Sequence, residues 1–296
     1  MSQPSTLDRV LADPHHLLVL AEDVTSQDVE ALAVSRSTDA GWSGPAELQL
    51  MPGVHLTGPW TLESDLLRSF DLPAWARQAY LLSCPVQRGA ALPAELRGVD
   101  PLLDAFPSGV PTGVEAEALG HLRAIARRLR GALRVAGTGA VVVPDADAAI
   151  DLTVLAPVWL DHDAGLQVLR QTLPAVRSAL DDIPEELAGQ ELEGYMLLSD
   201  LGDGDLLEIE AAGLDEVPTV LRGTDWAAGG VVGYEIRWRP AHPEQAFRGR
   251  PPLQVRRSRA RAAELIERAA GALQALVGGE VVDDDGFLVD PGDLAG

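Results

Sequence analysis

Lysine and asparagine are absent from this chain of 296 residues, cysteine occurs once, at Cys84, and aromatic residues make up only 4%. Without lysine there is no Schiff-base or pyridoxal-phosphate chemistry and no P-loop, since each needs an amine at the reacting centre. One thiol cannot close an internal disulfide, which leads to the expectation of a reducing, cytoplasmic location. The longest apolar run, Leu152 to Leu160, is interrupted by Thr153 and Pro157, so no membrane span is expected. The first residues, MSQPSTLDRV, do not place a basic segment before an apolar one, and no signal peptide is expected. With so few aromatics and a net charge of −22, the chain offers a nucleic acid neither stacking platforms nor an attractive field.

All 23 basic residues are arginine, against 45 acids, a bias that GC-rich coding, as in a high-GC bacterium, explains most simply. Hydrophobic residues make up 46%. A chain of this size buries roughly three quarters of its unfolded surface, as one large domain or two smaller ones.

An internal similarity suggests two. Residues 128–145, RLRGALRVAGTGAVVVPD, and 268–285, RAAGALQALVGGEVVDDD, align without gaps at eight positions, including Gly131 with Gly271, Gly139 with Gly279 and Asp145 with Asp285. HLLVLA at 16–21 echoes DLTVLA at 151–156, and QAYLLSCPV at 78–86 echoes VGYEIRWRP at 232–240, with Tyr80 opposite Tyr234. The three matches run in the same order. They predict a first repeat over 15–145 and a second over 150–290, with tails at 1–14 and 291–296.

In the first repeat, periodicity predicts strands at 16–21, 46–51, 78–85 and 139–143, and helices at 26–36, 61–70 and 114–136. In the second it predicts strands at 151–156, 194–199, 205–210, 231–239 and 280–283. Helices there are expected at 163–181, 216–222 and 257–276. Glycines 202 and 204 mark a hairpin. The expected fold class is α+β, with two pseudo-symmetric ferredoxin-like (split β-α-β) repeats packed into one globule. A short connection at 146–149 implies halves pressed together.

The chemistry-bearing candidates are few. Arg123, Arg127, Arg130 and Arg134 fall at i, i+4, i+7 and i+11, one face of the predicted helix, and could hold an anion or an acidic helix. A solvated, neutralised face is the blander reading, and the second repeat has Ala263, Glu267, Ala270 and Gln274 at the aligned places. Asp145 and Asp285, at aligned strand ends, are candidates for acid–base or metal roles in a cleft between the halves. Thirteen acids and no base lie between Asp181 and Glu216, and seven arginines between Arg248 and Arg268. These blocks either pair with each other or offer a docking surface for a basic protein.

Other patterns fail on spacing. DLGDGDLLEIE at 200–210 and DDDG at 283–286 lack the oxygen ligands of a calcium loop. Asp161, His162 and Asp163 are neighbours whose side chains diverge, so Asp161 or Asp163 is better read as a helix cap than as a metal ligand. PDADAAID at 144–151 resembles the Asp-x-Asp of haloacid-dehalogenase-type phosphatases, but Pro144 intervenes and the lysine of that pattern has no counterpart. No Gly-x-Ser-x-Gly or His-Glu-x-x-His occurs. Loop tryptophans Trp42, Trp60 and Trp226 are read equally as interface anchors and as lids over core edges.

No cofactor and no metal site is expected. The function the sequence favours is a non-enzymatic, cytoplasmic interaction or regulatory protein with a basic partner or a second copy of itself. The alternative is an enzyme or small-molecule binder with its site between the repeats.

Overall fold

The structure, a computed structural model, describes residues 5–179, 194–246 and 251–294. The chain divides into two units, Met1–Ala146 and Asp147–Gly296. Unit one contains α1 (Arg9–Ala12), β1 (His16–Leu20), α2 (Ser26–Arg36), β2 (Gly41–Gly44), β3 (Glu47–Met51) and β4 (Val54–Thr61). It continues with α3 (Ser64–Ser69), β5 (Gln78–Ser83), α4 (Pro101–Asp104), α5 (Gly113–Arg128), β6 (Ala132–Arg134) and β7 (Val141–Val142). Unit two contains β8 (Leu152–Ala156), α6 (His162–Leu169), β9 (Val176–Ser178), β10 (Gly194–Gly202) and β11 (Asp205–Leu214). After them come β12 (Val231–Arg239), α7 (Pro243–Ala246), α8 (Leu253–Val277), β13 (Glu280–Asp283) and β14 (Leu288–Val289).

The fold is thus mixed α+β, with one seven-stranded sheet in each unit. Four or five strands per half were expected. The first sheet runs β2-β3-β4-β5-β1-β6-β7, and the second, taken from its β9 edge, runs β9-β10-β11-β12-β8-β13-β14. Neighbouring strands pair antiparallel throughout. The two orders are the same, strand for strand.

Each sheet is central because its strands alternate or are apolar throughout. In β1 all five residues are buried. Leu17 and Val19 join Ala79, Leu81 and Ala132 in a cluster closed by Leu7, Leu62, Leu66 and Phe70. Leu18 and Leu20, on the opposite face by the period of two, lie on the side of α5, whose Leu119, Leu122 and Ile125 are buried. In unit two, Val154, Ala156, Leu207, Ile209, Tyr234 and Ile236 share a cluster with Leu265, Ile266, Ala269 and Leu273 of α8. The segments expected as tails belong to these cores: Leu7 is buried in the first and Leu294 in the second.

The expected helix over 114–136 ends early. α5 stops at Arg128, Arg130 takes a left-handed φ of 51°, and Ala132–Arg134 pairs with Leu17–Val19 of β1. Leu133, inside the helix expected over 114–136, is a strand residue opposite Leu18. Pairing with the buried central strand overrides helix propensity here. Gly131 makes the entry possible: a Cβ there would lie 2.7 Å from the Val19 carbonyl oxygen. In unit two, Gly279 stands before β13 in the same way, and a Cβ there would clash with the Leu155 carbonyl oxygen.

These contacts reset the internal alignment. Leu18 faces Tyr80 and Leu133, and Val154 faces Tyr234 and Val281. The place of Gly131 is therefore taken by Gly279, not Gly271. The tripeptide Gly-Ala-Leu at 131–133 enters a strand, whereas the same tripeptide at 271–273 lies inside α8. The tyrosine match survives, since both residues face the central strand.

Gly131→Ala and Gly279→Ala each force backbone apart beside a central strand. Each is expected to cost about 1–3 kcal/mol or more, Gly279→Ala the greater because its φ of +85° also disfavours a side chain. Urea unfolding of the variants checks this, with Gly229→Ala, whose surroundings are open, as the neutral comparison.

Candidate functional site

The four arginines of the expected row do not share a face. Arg123, on α5, pairs with Asp100 Oδ2 at 2.9 Å. Arg127 is in the last turn of α5, and Arg130 lies beyond the helix, exposed. Arg134 is a buried residue of β6, its guanidinium 3.7 Å from the centre of the Phe70 ring and donating to Asp13 Oδ1 at 2.8 Å. The row fails because the helix ends between its second and third members.

Asp145 and Asp285 also occupy unlike places. Asp145 follows β7 and is exposed, whereas Asp285 sits in the turn between β13 and β14, where its N–H donates to Asp283 Oδ1 at 3.0 Å. Among the described residues no group of three or more His, Cys, Asp and Glu side chains is placed to hold a metal ion.

Of the acidic block, Asp181, Asp182, Glu185, Glu186, Glu191 and Glu193 lie outside the described residues, as do Arg248 and Arg250 of the basic block. Among the acids described, Glu208 on β11 takes two hydrogen bonds from Arg239 of β12, at 3.1 and 2.7 Å. That pairing holds the Glu208 carboxyl below its usual range. Trp60 packs on the unit-one core and donates to the Thr57 carbonyl at 2.9 Å, and Trp226 packs on a small cluster around Leu155 and Val282. Both act as lids.

An ionic knot that the sequence did not suggest lies in unit one. Glu115, in the first turn of α5, is fully buried. Its Oε1 receives His16 Nε2 at 3.1 Å and Arg88 at 2.7 Å, and its Oε2 receives the Gln87 N–H at 2.8 Å. His16 Nδ1 accepts the Ala136 N–H at 3.1 Å, which fixes the neutral ring with its proton on Nε2. Burial holds His16 below the usual histidine range despite the carboxylate beside it. Arg88 lies 4.2 Å over the Phe106 ring. These contacts tie β1, α5 and the long 84–112 segment together. Cys84, nearby, is pushed up to about 11 by burial and by the Glu115 charge, so it is an inert thiol at neutral pH.

The surface feature that stands out is in unit two, between β8 and α6. Five residues, Pro157-Val158-Trp159-Leu160-Asp161, connect them, and Asp161 caps α6 by accepting the Ala164 N–H at 2.8 Å. The Tyr234 hydroxyl donates to the Val158 carbonyl at 2.8 Å and accepts the Leu160 N–H at 2.7 Å. The segment is pinned from beneath. Val158 and Trp159 nevertheless point outward, 44% and 45% exposed. Trp159 meets the Tyr195 ring edge to face, centroids 5.7 Å apart, and Tyr195 meets His162 likewise at 5.6 Å. His162 is fixed in turn by Ser178 Oγ at 2.8 Å and Asp163 Oδ1 at 3.0 Å.

Unit one supplies the comparison. Between β1 and α2 run Ala21-Glu22-Asp23-Val24-Thr25, also five residues, with Thr25 capping α2. Tyr80, in the place of Tyr234, bonds Ser26 Oγ at 3.0 Å, and the Gln78 amide donates to the Ala21 and Val24 carbonyls at 2.7 and 2.6 Å. Where unit one exposes Glu22 and Asp23, unit two exposes Val158 and Trp159. The fold does not demand apolar side chains at this point. The sequence held the signal in the DLTVLAPVWLD run, but without the register it could not show which of its apolar residues leave the strand.

Compared with protein families, with curated proteins and with solved structures, the chain matches none of them.

Two titratable groups outside these clusters give opposite pH signatures. Burial pushes His121, on α5 near Arg36, down to about 4, so the unfolded chain takes up its proton first. The stability this neutral ring supports is complete above pH 6.5 and falls as pH drops towards 4, by up to about 3 kcal/mol. Asp151, raised to about 6 by burial while accepting the Trp238 N–H, works the other way: the folded unit gains stability as pH falls from 6 to 4. Denaturation followed between pH 4 and 7 is expected to lose slope in His121→Leu and to steepen in Asp151→Asn.

Glu115→Ala leaves His16, Arg88 and the Gln87 N–H without their common acceptor. The expected cost is about 3 kcal/mol, read as a lowered urea midpoint with the unit-two spectroscopic signals unchanged.

Proposed function

We propose that this chain is a protein-interaction module, and that the Val158–Trp159 ridge is where it holds its partner. One observation carries the reading: at the same point of the two like-ordered units, one exposes two carboxylates and the other a valine and a tryptophan on a pinned backbone. A tryptophan held half-exposed loses little freedom on binding, which is why such residues dominate interface energetics. Single exposed apolar residues are ordinary. Here two adjacent ones are braced by Tyr195 and tied down by Tyr234.

The same comparison supports descent of both units from one ancestor. Shared strand order, the tyrosine facing the central strand, the glycine before β6 and β13, and five-residue capped loops agree on one register. Within it, β4-β5-β1-β6 and β11-β12-β8-β13 are the strands we read as a split β-α-β core, the remaining strands being edge additions. The ridge is then a specialisation of the second copy.

A photo-crosslinking amino acid placed at position 158 tests the function in cells that make the protein. A discrete adduct is expected there, and none from the same group at position 22. Trp159→Ala is expected to lower the yield of the adduct about tenfold or more, equivalent to 1.4 kcal/mol of binding. Equal adducts at both positions, or adducts indifferent to Trp159, would remove the ridge from the function.

A further inference from the structure

The ridge also carries a charge pattern. Asp161 and Asp163 flank it, both exposed, the Asp163 side chain 96% so. Asp161 turns Oδ1 to the α6 backbone and Asp163 turns Oδ1 to His162, and both residues remain exposed. Trp159 precedes them in the same short segment, and its indole rests edge to face on the Tyr195 ring. An aromatic face with carboxylates beside it is the arrangement that receives a guanidinium or ammonium group: the ring attracts the cation, and the carboxylates accept its N–H groups.

Resting on the interaction reading above, we propose that the partner presents an arginine- or lysine-bearing segment, its cation stacked on Trp159 and its N–H groups shared between Asp161 and Asp163. The long-range field agrees. A chain of net charge −22 speeds the approach of a cationic segment and opposes that of a second copy of itself. Val158 supplies the apolar shelf for the methylene stem that precedes the cation.

The test uses the full chain and a fluorescein-labelled nonapeptide of alternating Arg and Gly, with an alternating Glu and Gly peptide as counterpart, followed by fluorescence anisotropy. The arginine peptide is expected to bind and the glutamate peptide not to. Trp159→Ala, and separately the pair Asp161→Asn with Asp163→Asn, are each expected to weaken binding about fivefold or more. Asparagine is chosen because it caps a helix about as well as aspartate, so α6 keeps its start while two charges go. The control is Glu22→Gln with Asp23→Asn, which removes the same charge from the sister loop and is expected to change affinity less than twofold.

Equal weakening by ridge and sister-loop variants would mean that only overall charge is sensed, and the proposal would fall. So would arginine-peptide binding that ignores Trp159. Sedimentation showing a Trp159-dependent dimer would replace the basic segment by a second copy. A Trp159-dependent crosslink at position 158 in a protein that does not bind the arginine peptide would leave the interaction reading standing and overturn the basic partner alone. Loss of both would overturn the two together.

Discussion

The close approach of backbone to backbone beside each central strand is the constraint on which the architecture rests. β1 and β8 are flanked on both sides, so their peptide groups are hydrogen-bonded away from water, and the segment that closes the second side must come in tight. Gly131 and Gly279 are where it comes in, each against a carbonyl of the central strand. A side chain at either point would hold the last two strands off the sheet. The apolar faces those strands cover would then be open to water at about 25 cal/mol per Å². The long amphipathic helices α5 and α8 precede the glycines and lie over the sheets, so the same junction sets where each helix must stop.

With that junction fixed, the rest of each unit follows as layers. The tyrosine facing the central strand has its hydroxyl at the strand's end, where a five-residue connection leads to the next helix. The hydroxyl finds a different partner in each unit: a serine side chain in the first, two backbone groups of the connection in the second. A phenolic hydroxyl buried without a partner would cost 1–3 kcal/mol, so some partner is obligatory. Which partner it takes is free to vary. In the second unit the connection is pinned through its own backbone, and the side chains of Val158 and Trp159 face the surface.

Much of this was legible in the residues. β12 lies where alternation placed it, β8 and β5 within two residues, and α2 spans the expected 26–36, because burial patterns are local signals. The hairpin between β10 and β11 was marked by its glycines. β6 was not legible: Ala132-Leu133-Arg134 continues the helical stripe of α5, and only pairing with Leu17–Val19 makes it a strand. The false register between 128–145 and 268–285 has the same root, since Gly-Ala-Leu is equally apt for a strand entry and a helix interior. Edge strands β2, β9 and β14, two to four residues long, have no period to detect, whereas β7 falls inside the strand expected at 139–143. The Glu115 knot joins positions 16, 88 and 115, and nothing within any one of those segments announces the others.

The charges of the chain sort by the same logic. In unit one the buried ions are spent: Glu115 serves His16, Arg88 and a backbone amide, and Arg134 stacks on Phe70 while bonding Asp13. Removing one of these groups strands the others, so they are held by stability. Asp161 and Asp163 are different. One oxygen of each positions α6 or His162, a task asparagine could share, and both residues are exposed. The sister loop shows that the fold is content with Glu22 and Asp23 at that point. The exposed Val158 and Trp159 of the second unit are thus not imposed by the packing beneath them.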